Sequence, residues 1–234
     1  MTAETGGGDA APMTKGREDA TFGRSLAAAW TIARKDLLLE VRSKQSVPLS
    51  ITLALLIVVV FAFSVPGARN GSGALWTAFV FAGMLGVMQS LAVETRNRAL
   101  DGLVLAPIPP AAIYVGKVVS NAVFATLVGL TTLGAVGVFL HAPLPATSLP
   151  TAVAVIVLFA FGFAAVSVVV GIITTVTGIS QLLLPVLLLP LLLPALLAGV
   201  AQFETGRALW FGVLAGYDGV VFVAGALVFG ELVG

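Results

Sequence analysis

Between Lys117 and Glu204 the chain contains no Asp, Glu, Lys or Arg, a run of 86 residues without a formal charge. A helix needs about 20 mainly apolar residues to cross the hydrocarbon layer, so this run alone has the length of three crossings. Soluble domains are roughly a quarter charged. Here the charged fraction over 234 residues is 10%, the hydrophobic fraction is 59%, and the mean hydropathy is +1.09. A water-soluble globule is excluded. In lipid every backbone N–H and C=O must be satisfied within the protein, and unbroken apolar segments of this length do that as helices.

Loop-forming residues divide the run at Pro143 to Pro150 and at Thr174 to Gln181. Six spans are expected in all, at about Val47 to Val65, Gly73 to Val93, Val118 to Leu140, Thr151 to Ile173, Leu182 to Ala201 and Leu209 to Gly230. With the N-terminus cytoplasmic, ten of the basic residues (Lys15, Arg17, Arg24, Arg34, Lys35, Arg42, Lys44, Arg96, Arg98 and Lys117) fall on the cytoplasmic side, and only Arg69 and Arg207 on the other. That bias fixes the expected orientation, with both termini in the cytoplasm. There is no internal repeat of the kind that marks inverted-repeat transporters.

Residues 1–21 are polar, lack a secretory h-region and read as a disordered cytoplasmic tail. From 22 to 46 the pattern is an amphipathic helix: Phe22, Leu26, Trp30, Ala33, Leu37 and Val41 recur at spacings of three and four, with Arg34, Lys35, Asp36 and Glu40 among them. A basic helix bearing Trp and Phe beside a span can lie in the headgroup plane, although a solvated linker fits the same pattern. Residues 47–234 form the transmembrane domain, which includes a cytoplasmic element at 94–117. In that element Leu100, Leu103 and Val104 are helically spaced, Arg98 reaches Asp101 at i+3, and Pro107 stops the helix. Such a helix can seat in a partner's groove or pack on its own bundle.

The arrangement Glu94, Arg96, Leu100-Asp101-Gly102-Leu103, Pro107 and Gly116-Lys117 resembles the signature of ABC-2 type permeases, in which this cytoplasmic element contacts the ATPase. Asp101 stands where that class commonly has Glu, and Asn97 interrupts the usual run of charge. Ala33-Arg34-Lys35-Asp36-Leu37 with Glu40-Val41-Arg42 is similar to the interfacial elbow helix of the same class. The Pro-punctuated segment Leu182 to Pro194, with Pro185, Pro190 and Pro194, and the last helix with Asp218 and Glu231 narrow the resemblance to the heme exporter protein B family of cytochrome c maturation.

The resemblance implies an all-α integral membrane protein with the ABC-2 type permease fold, an elbow helix followed by six transmembrane helices, and no enzyme activity of its own. It further implies a plasma (inner) membrane location. The implied partners are a separate ABC ATPase, a heme-handling membrane protein and a second permease copy. Heme would be a candidate cargo, ATP would act through the partner, and no cofactor would be bound directly. ATPase coupling falls on Glu94, Arg96, Arg98, Leu100, Asp101, Leu103, Pro107 and Lys117. Two other readings stay open: an ABC-2 permease for a lipid, glycan or drug, and a non-transporting membrane scaffold.

Pro185, Pro190 and Pro194 each remove a backbone donor and predict a kinked helix, one that packs inside the bundle or lines a cavity. Asp218 is a carboxylate well inside a span, where an ionised side chain costs roughly 2.5–3.5 kcal/mol. It reads either as a proton-relay or substrate-pathway group, or as a carboxyl bonded to Tyr217 or a neighbouring helix. His141, the single histidine, lies at a helix end beside Pro143. It reads as an interfacial or capping residue, although imidazole also ligates heme iron. Gly212 and Gly216 form a small-xxx-small pair.

The chain has no cysteine, which removes disulfides and thiolate sites. A net charge of +1 gives no basic field for nucleic acid. The phosphate loop, HExxH and GxSxG motifs are all missing from the sequence.

Overall fold

The computed structural model describes residues 13–43, 46–64, 71–96, 108–140, 148–178 and 183–233, with side chains from 25 to 40 in the first helix and up to 93 in the third. Among these residues are seven helices and no strand: α1 (Met13–Ser43), α2 (Ser46–Ser64), α3 (Gly71–Arg96), α4 (Pro110–Leu140), α5 (Leu149–Thr177), α6 (Leu184–Thr205) and α7 (Ala208–Val233). Six of them, α2 to α7, are long and apolar enough to cross a membrane, so the protein is a multi-pass membrane protein. The helix before the spans begins at Met13, inside the segment read from sequence as a disordered tail.

α5 is the hub of the bundle. It packs against α4, α6 and α7 and is the most deeply buried of the spans. Its inner face carries Phe159 and Phe163, which meet Trp76 and Phe79 of α3. Ring centroids lie 4.8 Å apart for Trp76–Phe159 and 5.1 Å for Phe79–Phe159, both edge-on. Phe203 of α6 closes the cluster against Trp76 at 5.8 Å. Edge-to-face aromatic pairs contribute attraction beyond simple area burial, which matters in lipid, where apolar burial alone does not drive helices together. Several hydroxyls inside the spans are turned back onto their own helices: Thr132 Oγ1 donates to the Val128 carbonyl and Ser167 Oγ to the Phe163 carbonyl, each at 2.7 Å.

The outer helices show narrow buried stripes. On α2 the buried residues are Ser46, Ser50, Ala54 and Val58, one per turn. On α7 they are Leu214, Asp218, Gly225 and Phe229, and most of that helix is exposed to the surroundings. Gly212 and Gly216 lie on this exposed side with open space around them. α4 is the longest span at 31 residues, or about 46 Å at the usual rise. It starts at Pro110, eight residues before the boundary read from sequence.

Truncating the central ring, Phe159→Ala, is expected to destabilise the bundle by roughly 3 kcal/mol, the low end for a buried Phe because transfer from lipid adds little. Denaturant unfolding of the purified protein in mixed micelles measures it, and an unchanged midpoint would count against the aromatic hub.

Candidate functional site

The elbow reading of α1 rests on how it meets α4. Ala29, Ile32 and Ala33 of α1 are buried against the bundle, while Leu26, Trp30, Leu38 and Leu39 are exposed on its outer side. An exposed Trp and three Leu on a basic helix beside the spans suit the headgroup layer. The stripe read from sequence therefore divides: Ala33 faces inward, whereas Leu26 and Trp30 face outward. Contact with α4 is close enough to require glycine. A Cβ at Gly116 would stand 2.7 Å from the Ala29 carbonyl oxygen and 2.9 Å from Ile32 Cβ.

One residue on, Lys117 places its ammonium 4.0 Å from Asp36 Oδ2, while Lys35 lies 3.2 Å from Asp36 Oδ1. Gly116-Lys117, which ends the 94–117 element, is thus joined to the elbow by backbone contact and by charge. The other residues assigned to ATPase coupling are less fully placed. Glu94 and Arg96 close α3 with their side chains outside the described set, and Arg98, Leu100, Asp101, Leu103 and Pro107 lie outside the described residues, as does His141. Asp36 and Glu40 were legible as parts of the elbow motif, but nothing in their spacing announced that they face Lys117 and Ser46 across helices.

Glu40 is half-buried at the end of α1. Burial holds its carboxyl above the ordinary value of 4.5, a hydrogen bond with Ser46 works against that shift, and the neighbouring Asp36 charge adds to it. Folding therefore shifts this carboxyl toward its neutral form relative to the unfolded chain. The cost of ionising it sets in above pH 4.5 and grows until the folded-state value is passed.

Asp218 sits in the buried stripe of α7, and neither carboxylate oxygen has a hydrogen-bond partner among the described residues. It faces α5 at Gly162, where any Cβ would collide with Asp218 Oδ1. Of the partners weighed from sequence, Tyr217 is not one: its hydroxyl donates to the Leu191 carbonyl of α6. The bond ties α7 to the proline helix. Pro185 lies in the first turn of α6, where a missing N–H leaves no helical bond unmade. Pro190 and Pro194 are inside the helix and free the carbonyls of Val186 and Pro190. The helix packs against α3, α5 and α7. Leu184, Leu188, Leu192 and Ala195 form the buried face, and Pro190 and Pro194 are exposed on the other.

A cavity of about 110 Å³ lies at the α1 end of the bundle, between α1, α2, α3, α4, α5 and α7. Lys35, Asp36, Glu40 and Lys117 are its charged lining, and Leu91, Phe124, Ile172 and Phe229 are among its apolar lining. The proline helix α6 contributes no residue to it. No group of acidic and histidine residues able to hold a metal occurs among the described residues.

Two outcomes are expected. Glu40→Gln should raise thermal stability at neutral pH, with the gain shrinking to nothing as the pH falls below 4.5; a pH-independent gain would contradict burial as the cause. Gly162→Ala should cost about 1–3 kcal/mol, the usual range for overpacking, and much less when combined with Asp218→Ala. A double-mutant cycle in denaturant reads the coupling, and additive effects would refute the contact.

The sequence of this chain matches the family described as "CcmB protein" over residues 27–233, from within α1 to the end of α7. It is similar to heme exporter protein B of Rhodobacter capsulatus, with 30% identity over 183 residues, covering 74% of this chain and 80% of that protein. The matched region holds the elbow contact at Gly116, the proline helix and Asp218, and the chain belongs to the CcmB family.

Proposed function

We propose that this protein is the membrane-spanning permease subunit of a heme-export system serving cytochrome c maturation, driven by a separate ABC ATPase. The family match, running across the elbow and all six spans, carries this reading. On this reading the chain is a transporter component, and ATP hydrolysis belongs to the partner. The bundle belongs in the plasma (inner) membrane, with α1 and both termini cytoplasmic, in line with ten basic residues against two.

The coupling follows from the elbow junction. Nucleotide-driven closure of an ATPase pair would press on the connection between α3 and α4, and Gly116-Lys117 would pass that movement to α1 and along α4. Differential contacts in the two states supply the energy of such a switch. Heme, or a driving motion handed to a heme-handling membrane partner, is the output. A second copy of the chain is expected beside α6: the carbonyls freed by Pro190 and Pro194 lie on an exposed helix, and in lipid such groups call for a protein partner.

In a strain carrying c-type cytochromes, deleting this chain should abolish covalent heme attachment, measured as loss of heme-stained cytochrome c, and the intact chain should restore it. Reversing charge at Arg96, Arg98 and Asp101 should leave the protein in the membrane while removing a co-purifying ATPase. Normal cytochrome c assembly in the deletion strain would overturn the heme assignment, and failure to recover any ATPase with the intact chain would favour a scaffold.

A further inference from the structure

The cavity under α1 has no role in the coupling scheme, yet its lining is specific. Its lining holds two ammonium groups, Lys35 and Lys117, on either side of Asp36, and a second carboxyl, Glu40. A lining of both signs is complemented by a ligand of both signs. Ser167 and Ser120 have already given their hydroxyls to the carbonyls of Phe163 and Lys117. Beyond them the uncharged polar lining is Ser46, Ser90 and Asn121, and the rest of the wall is apolar. Leu39 and Val93 line the cavity while remaining exposed, at 54% and 42%, so its apolar wall continues out to the protein surface.

Size and chemistry select among occupants. At about 30 Å³ for each water, 110 Å³ holds on the order of four waters, the scale of a small polar head and not of a porphyrin. None of the described residues lining it is His, Met, Cys or Tyr, the side chains that ligate heme iron. A small soluble zwitterion would gain nothing from the exposed Leu39 and Val93. A choline head would need an aromatic cage, and the described aromatic lining is two residues, Phe124 and Phe229, with no Trp or Tyr.

We infer that this cavity is a binding site for the headgroup of a primary-amine zwitterionic glycerophospholipid, of the phosphatidylethanolamine class. The phosphate sits between Lys35 and Lys117, and the ammonium donates to Glu40 and Asp36. The acyl chains leave over Leu39 and Val93 into the leaflet at the α1 end. The lipid fills the space between elbow and bundle and becomes part of the surface on which α1 rides. This inference needs only the membrane-spanning fold, so it stands or falls independently of heme and of ATP.

Native mass spectrometry of the full chain in dodecyl maltoside, with equal amounts of dioleoyl phosphatidylethanolamine, phosphatidylglycerol and phosphatidylcholine, tests it. One phosphatidylethanolamine should be retained about tenfold better than either other lipid, a difference of about 1.4 kcal/mol. Glycerophosphoethanolamine, the headgroup without chains, should not displace it at the same concentration. Ser90→Phe, which fills the cavity from α3, and Glu40→Gln with Lys35→Ala should each reduce retention about tenfold. Equal retention of the three lipids, or retention undiminished in these variants, would overturn the site. If a variant does not fold, a phosphatidylethanolamine with a photoreactive group on its acyl chain near the glycerol supplies a second reading on the unmodified chain. Labelling at Leu39 and Val93 supports the site, and labelling confined to other helices refutes it.

Discussion

Lipid surrounding this bundle is as apolar as its side chains, so exclusion of water cannot assemble the spans. What remains is close packing and a few directed contacts, and the arrangement around α5 supplies both. Aromatic rings from α3, α5 and α6 interlock edge-on at its inner face. On its other side a glycine lets the Asp218 side chain of α7 come against the helix. α7 depends on that arrangement most. Its buried stripe is narrow, and one of the few polar ties from it into the bundle is the bond from Tyr217 to the Leu191 carbonyl.

The α1 end is built on a different physical basis. There charges persist in a layer where water and lipid headgroups still solvate them, and Asp36 lies between two ammonium groups. Such an arrangement is soft: long lysine side chains exchange partners at little cost, and partly exposed ion pairs hold weakly. Position comes instead from Gly116, where two backbones meet without a side chain between them. The junction combines a fixed point of contact with adjustable charges around it.

Much of this was legible in the sequence, because charge is excluded from hydrocarbon. The gap between Lys117 and Glu204, cut by loop residues, located three spans, and the basic residues separated an elbow from the bundle. The same rule misplaced the start of α4. Helix formation continues past the hydrocarbon boundary, and what opens α4 is Pro110, with the Pro109 carbonyl accepting from Ala112, rather than the charge at Lys117. Facing was less legible. In a segment as uniformly apolar as Leu182 to Pro194 no periodicity distinguishes inside from outside, so the prolines gave the defect in hydrogen bonding but not the side on which it lies. For Asp218 the sequence offered Tyr217 as a partner because the two are adjacent. Adjacent residues on a helix point about 100° apart, and the structure sends one toward α5 and the other toward α6.

The length of α4 bears on where its charge can sit. At about 46 Å it exceeds the roughly 30 Å hydrocarbon thickness by about half, and no proline interrupts it after Pro110. That excess length puts Gly116, six residues from the Pro110 end, and the charge of Lys117 beside α1 rather than deep among the acyl chains.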